Sequence, residues 1–232
     1  MQLKGAITMN MKKLAAEAAV TVIRDGMTVG LGTGSTAYWA IQRIGELTAN
    51  GLRIQAVPTS VQSEKLAKEL GIPLLPWPEV ERIDVTIDGA DEIDPQLQLI
   101  KGGGGALLRE KIVASLSAKL VIVADESKTV PQLGAFPLPV EIVPFAWQAT
   151  RRQVEALGCE SDLRGGEASP FVTDNGNYIL DCRFGSIASP AVLQGQLNAI
   201  PGVVENGLFV GMASAAYVAR LDGSVQRLER RD

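Results

Sequence analysis

Apolar positions in the first half of the chain switch repeatedly between two spacings. Residues 11–24, MKKLAAEAAVTVIR, carry them at helical intervals and stop at an Asp-Gly pair. MTVGLG at 27–32 reads as a short buried strand. Ser35 or Thr36 then stands where a helix cap belongs, ahead of AYWAIQRIGEL with Ile41, Ile44 and Leu47 on its apolar side. RIQAVPTS predicts a second strand, VQSEKLAKEL a second helix ended by Gly71, and IDVTID a third strand. ALLREKIVASL predicts a helix with Leu107, Leu108, Ile112 and Leu116 on its apolar side, and AKLVIVAD a strand rich in β-branched residues. Strands alternating with helices over short links predict an α/β domain with a largely parallel sheet.

The pattern changes near residue 131. PQLGAFPLPVEIVP is proline-rich and extended. A helix near 146–157, a strand near 160, hairpin chemistry at Asn175-Gly176 and a helix near 190–199 follow. That order predicts a small α+β insert, after which GLFVGMASAAYVARLDGSVQRL returns to short strands. The expected organisation is a Rossmann-like α/β domain over 1–132 plus 208–232, around a smaller α+β (ferredoxin-like) insert over 133–207.

Composition narrows the chemistry. The chain has 232 residues, 46% of them hydrophobic, and a net charge of −4 without a basic run, which disfavours a nucleic-acid partner. No apolar run reaches the roughly 18 residues of a membrane span. The lysines and alanine-rich run near the N-terminus are broken by Glu17, so a mature cytoplasmic start is expected rather than a signal peptide. Cys159 and Cys182 are too few for a disulfide framework, and two reduced thiols are expected. Histidine is absent, which excludes Ser-His-Asp and Cys-His devices and removes the usual ligands of catalytic zinc. Acid–base work falls to Asp, Glu, Lys or Tyr.

Three stretches gather candidate chemistry. GLGTGSTA at 30–37 follows a strand and opens a helix, so its amides suit a phosphate or similar small anion; a purely steric tight turn is the alternative. Its Gly32-x-Gly34-x-x-Ala37 spacing loosely fits a dinucleotide loop. The second strand, ending AVPTS, lacks the confirming acid, and no Gly-Lys-Ser/Thr follows to make a P-loop. DGADEID puts Asp88 and Asp91 past the third strand, flanked by Gly89 and Ala90, where close approach to a small ligand is expected. Magnesium competes as that ligand, and the nearby Lys101 argues against it. Glu92 and Asp94 are expected to be a solvated acidic loop. KGGGGALLREK sets Lys101 and glycines 102–105 before a helix, a second amide cradle. Glu110 within that helix faces either the site or a surface ion pair. VIVADESK leaves Lys128 on a strand-end loop, and Lys12 and Lys13 read as a solvated helix face.

In order, GLGTGSTA, DGADEID, KGGGGALLREKI, VIVADESK, FPLPVEIVP, VTDNGNYILD and PGVVENGLF resemble the type A ribose-5-phosphate isomerases over nearly the whole chain. The resemblance implies reversible interconversion of D-ribose 5-phosphate and D-ribulose 5-phosphate in the non-oxidative pentose phosphate pathway. It implies no metal or organic cofactor, and a homodimer with a homotetramer as the alternative. It makes Glu110 the proton-transfer base and matches Asp88, Asp91 and Lys101, with Gly89, Ala90, Gly102, Gly103 and Gly104 around them, to the polar cluster at the sugar oxygens. Thr33, Gly34, Ser35, Thr36, Lys128 and Lys12 match substrate and phosphate contacts. GMASAAYVARLDG and LDCRFGSI depart from the family pattern outside these motifs.

Isomerisation of this kind moves a proton between adjacent carbons through an enediolate, which one carboxylate can serve. Lys101 and the glycine amides would carry the oxyanion, and an aspartate would pass protons during ring opening. Two other classes remain. A non-catalytic sugar-phosphate sensor on a related scaffold needs the phosphate cradle but not the set Asp88, Asp91, Lys101 and Glu110. An NAD-dependent oxidoreductase is disfavoured by the missing ribose acid.

Overall fold

The computed structural model describes residues 2–230, with side chains from residue 11 onward. In chain order the elements are α1 (Gln2–Val20), β1 (Thr28–Leu31), α2 (Ala37–Ala49), β2 (Gln55–Pro58), α3 (Val61–Glu69), β3 (Val85–Gly89), β4 (Glu92–Ile93) and β5 (Leu99–Ile100). There follow α4 (Leu107–Ser115), β6 (Leu120–Asp125), β7 (Leu138–Ile142), α5 (Trp147–Glu155), β8 (Glu160–Leu163), β9 (Tyr178–Arg183) and α6 (Pro190–Asn198). The chain ends with β10 (Val203–Asn206), β11 (Leu208–Phe209), β12 (Ala213–Ala219) and β13 (Val225–Glu229).

Contacts divide the chain into two units. The first holds Met1–Ala90, Arg109–Thr129 and Met212–Asp232; the second holds Asp91–Leu108 and Val130–Gly211. The expected boundaries at 132/133 and 207/208 lie a few residues from these, and residues 91–108 join the second unit. The reason is pairing: β5 lies between β4 and β11 in a three-stranded sheet.

In the first unit a six-stranded sheet runs β13-β12-β6-β3-β1-β2, parallel throughout except for the hairpin partner β13. Strand β6, LVIVAD, is buried at every position, as a central parallel strand covered on both faces requires. Helix α1 contributes Met11, Ala15, Ala16, Ala19 and Val20 to the core, where the alanines permit close packing. Chain order reverses between β1 and β3: β1 leads to β2 on one side, and the chain then crosses to β3 on the other. Outside the carboxyl ends of strands at such a point is where open α/β sheets bind ligands. One expectation fails on α4. Leu107 is buried, but Ile112 and Leu116 are 44% and 38% exposed, and the buried face instead carries Glu110, Lys111, Val113 and Ala114. A charge on a covered face breaks the apolar stripe on which the sequence reading relied.

In the second unit β7, α5, β8, β9, α6 and β10 form a βαββαβ run with an antiparallel sheet ordered β10-β7-β9-β8. This is the ferredoxin-like arrangement expected for the insert. Its core includes Leu138, Val140 and Ile142 of β7, Leu180 and Cys182 of β9, and Leu193 and Leu197 of α6. Cys159 and Cys182 are free thiols. The solvated acidic loop expected at Glu92 and Asp94 is not observed. Glu92 is buried and accepts the Gly134 and Phe136 N–H groups at 2.7 and 2.6 Å. Asp94 accepts those of Gln96 and Gln98 at 2.9 and 2.8 Å. Burial holds the Asp94 carboxyl above the usual range, and the two N–H donors oppose that shift.

Candidate active site

In the first unit the loop after β1 lies against the end of β3. Asp88 is 1% exposed, and its Oδ1 accepts N–H bonds from Thr33 at 3.0 Å and Gly89 at 2.7 Å. Gly32 is required here by close approach, since a Cβ would sit 2.2 Å from that same Oδ1. The Thr33 hydroxyl lies 2.7 Å from Thr59 Oγ1 and donates to Ser60 Oγ at 2.8 Å, so the end of β2 braces the loop. Sequence reasoning saw AVPTS only as a strand end lacking an acid; its hydroxyls are the missed functional signal. Ser60 also caps α3 through a reciprocal capping box with Ser63.

Asp88 occupies the Thr33 amide. The N–H groups of Gly34, Ser35 and Thr36 have no protein acceptor among the described residues. They stand at the N-terminal end of α2, where the helix dipole favours an anion. Thr36 takes the expected cap position, yet its side chain makes no capping bond. Ser35 Oγ instead accepts from Lys12 Nζ at 2.8 Å, so Lys12, read from sequence as a solvated face, reaches the loop. Lys128 ends a single 3₁₀ turn, Glu126–Lys128, just past β6. That turn is capped by Asp125, which accepts the Ser127 N–H at 3.1 Å. Glu110 is 4% exposed and sits in the first turn of α4, where the dipole favours the carboxylate.

In the second unit, Asp91 Oδ2 accepts the Gly103 N–H at 2.8 Å, while the Asp91 N–H is tied to Ile100 O at 2.8 Å. Lys101 is 2% exposed, its N–H donates to Gly207 O at 2.9 Å, and its ammonium lies 5.3 Å from the Phe209 ring centroid. Gly102 and Gly105 adopt left-handed φ values of 100° and 81°, closing a turn in which the Gly105 N–H donates to Gly102 O at 2.9 Å. Gly103 and Gly104 are exposed. This cradle rests on residues that sequence reasoning passed over. Arg164 Nη1 donates to Gly102 O at 3.1 Å and Gly103 O at 3.2 Å, and Phe171 packs where a Cβ on Gly105 would sit, 2.5 Å away. Local pattern carries no trace of either, because each lies more than 60 residues from its partner.

Each unit thus holds part of the expected set: Lys12, residues 33–36, Asp88, Gly89, Glu110 and Lys128 in the first, and Asp91, Lys101 and residues 102–104 in the second, with Ala90 the last residue before the chain crosses over. Among the described residues, no three Cys, Asp or Glu side chains are grouped as ligands for a metal ion.

Residues 55–223 match the family described as ribose 5-phosphate isomerase A (phosphoriboisomerase A). The chain is 56% identical over 216 residues to a ribose-5-phosphate isomerase A of Bacillus mycoides, covering 93% of this chain and 98% of that protein. It is 55% identical to one of Gloeobacter violaceus, covering 90% and 92%. Its fold is similar to a D-ribose-5-phosphate isomerase solved in complex with phospho-erythronic acid, with TM-score 0.91, 43% identity, and 95% of this chain and 98% of that one covered. The Plasmodium falciparum ribose 5-phosphate isomerase superposes with TM-score 0.92 at 39% identity, covering 97% and 100%. The chain belongs to the ribose 5-phosphate isomerase A family.

Proposed function

We propose that the chain interconverts D-ribose 5-phosphate and D-ribulose 5-phosphate as an aldose–ketose isomerase of the non-oxidative pentose phosphate pathway. The observation that carries the mechanism is Glu110: a buried carboxylate in the first turn of α4, in a chain without histidine. In the open-chain aldose, Glu110 takes the proton from C2, which is acidified by the C1 aldehyde. The electron pair moves to give a cis-enediolate, the same carboxyl returns the proton to C1, and the O2 hydroxyl proton passes to O1, which leaves the C2 ketone. The Lys101 ammonium and the N–H groups of the glycine run stabilise the oxyanion. Asp88 and Asp91 exchange protons with the ring and hydroxyl oxygens during ring opening. Residues 33–36, Lys12 and Lys128 hold the phosphate, whose binding energy lies remote from the reacting carbons.

A sensor would need only the phosphate loop, and family membership favours the isomerase. The same reading carries a homodimer acting in the cytoplasm without metal or organic cofactor. Among the described residues no helix is long and apolar enough to cross a membrane.

The test is ribulose 5-phosphate formation by purified protein after exhaustive treatment with EDTA. Full activity is expected. Loss on chelation, restored by one divalent cation, would sink the metal-free mechanism. Tight sugar-phosphate binding without turnover would favour the sensor. Light scattering in the same buffer reads the oligomer.

A further inference from the structure

The glycine cradle at 101–105 owes its shape to side chains of the ferredoxin-like sheet. Arg164 directly follows β8. Its guanidinium donates through Nε to Asp181 Oδ2 at 2.9 Å and through Nη2 to Asp181 Oδ1 at 2.5 Å, a bidentate pair on the neighbouring strand β9. Nη1 is left to reach the cradle, where it donates to the carbonyls of both Gly102 and Gly103. The Phe171 ring lies 5.8 Å from the guanidinium, and the Phe171 N–H donates to Arg164 O at 2.8 Å, so the arginine is held at both ends.

Two peptide planes are thereby fixed. In a trans peptide the C=O and N–H point in opposite directions. The plane joining Gly102 to Gly103 is pinned at both edges, its carbonyl on Arg164 and its N–H on Asp91 Oδ2. The next plane has its carbonyl on the same Nη1, which turns the Gly104 N–H directly away from Arg164. Gly104 is exposed, and its N–H has no protein acceptor among the described residues. A run of glycines would otherwise sample many orientations, because glycine has the widest backbone freedom. A donor works as an oxyanion stabiliser only when it is aimed before the charge develops.

We infer that Arg164 is a positioning residue for the isomerisation: through the Gly102 and Gly103 carbonyls it aims the Gly104 N–H at the enediolate oxygen and fixes the Asp91 contact. Arg164 touches no reacting atom in this scheme. Asp181 and Phe171 hold Arg164 in turn. The inference rests on the function proposed above.

The experiment compares wild type, Arg164→Met and Arg164→Lys. It reads kcat, KM and inhibition by two probes: inorganic phosphate, and phospho-erythronic acid, whose planar carboxylate resembles the enediolate. Methionine keeps the unbranched apolar stem and removes every donor. Lysine keeps a cation against Asp181 but cannot bind both Asp181 oxygens and two carbonyls together. The expected result is a kcat lowered by roughly 10–100-fold in Arg164→Met with KM within about threefold, somewhat less than the loss of a whole oxyanion donor. Inhibition by phospho-erythronic acid should weaken in step with kcat, while that by phosphate stays unchanged. Arg164→Lys should melt close to wild type yet keep kcat down by about tenfold or more. A purely scaffolding role predicts that restored stability restores kcat, and that result overturns the inference even if Arg164→Met does not fold. Equal weakening of both probes, or wild-type kcat in either folded variant, overturns it as well. Absence of isomerase activity in the wild-type chain overturns the proposed function itself, and the Arg164 role with it.

Discussion

Glu110 and Glu141 are both buried glutamates, one in each unit, and their surroundings divide them. Glu141 lies in the middle of β7, fully buried among Val140, Ile142 and the sheet neighbours Ile179 and Glu205. Its Oε1 accepts from Thr173 Oγ1 at 2.9 Å, Asn175 Nδ2 at 3.2 Å and Asn177 Nδ2 at 2.9 Å, so one oxygen organises the whole 173–177 turn. Thr173 Oγ1 in turn accepts the Asn175 and Asn177 N–H groups, each at 3.2 Å. Glu141 Oε2 is buried with no hydrogen-bond partner among the described residues. Glu110 sits at a helix start, on the chain segment that follows the glycine cradle. The contrast teaches that burial alone does not mark a catalytic carboxylate. A carboxylate ringed by donors that close a turn is spent on structure, as Glu141 is, whereas the first-turn position of Glu110 on α4 is the setting in which we propose a catalytic role.

The most direct way to break this comparison is Glu110→Gln, and it carries the largest expected effect. Glutamine keeps the shape but cannot take a proton. Turnover should fall by roughly 10²–10⁴-fold or more, the range for losing a positioned general base. KM and melting temperature should change little, and exchange of the substrate C2 hydrogen with solvent deuterium should fall in parallel. A folded Gln variant with normal turnover would end the assignment and move the base to Asp88 or Asp91. Were Glu110 only structural, the change would lower the melting temperature and leave turnover per folded molecule unchanged.

Glu141→Ala should give the opposite signature. Three donors lose their acceptor: the buried Thr173 hydroxyl, for which an orphaned group costs about 1–3 kcal/mol, and the amides of the exposed Asn175 and half-buried Asn177, which turn to water, while the space left in the core adds to the cost. A net loss of about 2–5 kcal/mol follows, read as a drop in melting temperature of roughly 5–15 °C for a chain of this size. Turnover per folded molecule should stay within about threefold. Glu141→Gln keeps a carbonyl for the three donors and should lose less. A Glu141 variant that melts normally but turns over slowly would erase the distinction between the two glutamates.

This pair also shows what a linear reading can reach. The parallel sheet unit was legible because each strand and helix carries its own period and the links are short. Asp88, Asp91, Lys101 and Glu110 stood out because charge and glycine in adjacent positions are a local anomaly. Glu141 did not, since FPLPVEIVP reads as an extended apolar run and its partners lie 32–36 residues downstream. Glu92 was misread for the same reason: the amides that bury it come from Gly134 and Phe136. The strands β4, β5 and β11 are two residues each, too short for any period, and their pairing helps to draw residues 91–108 into the second unit. Arg164 stood as an ordinary charge in sequence, because its four acceptors are contributed by Gly102, Gly103 and both Asp181 oxygens, none of them near it in the chain.

Lys128 sharpens the comparison with a smaller effect of a third kind, on binding rather than chemistry or stability. Its 3₁₀ turn past the buried strand β6 is capped by Asp125. Lys128 is half-buried, and Lys128→Ala should shift the melting temperature by no more than about 3 °C. If its ammonium binds the substrate phosphate, the loss of one charge-assisted contact should raise KM and the inhibition constant of inorganic phosphate by roughly 5–20-fold. The kcat should hold, because phosphate contacts serve ground state and transition state alike. The gap between variant and wild type should narrow as salt rises, since a partly exposed charge pair is screened. Equal phosphate inhibition constants at low salt would remove Lys128 from the phosphate site. The anion would then rest on the Gly34, Ser35 and Thr36 amides with Lys12, and Lys12→Ala would inherit the expected loss.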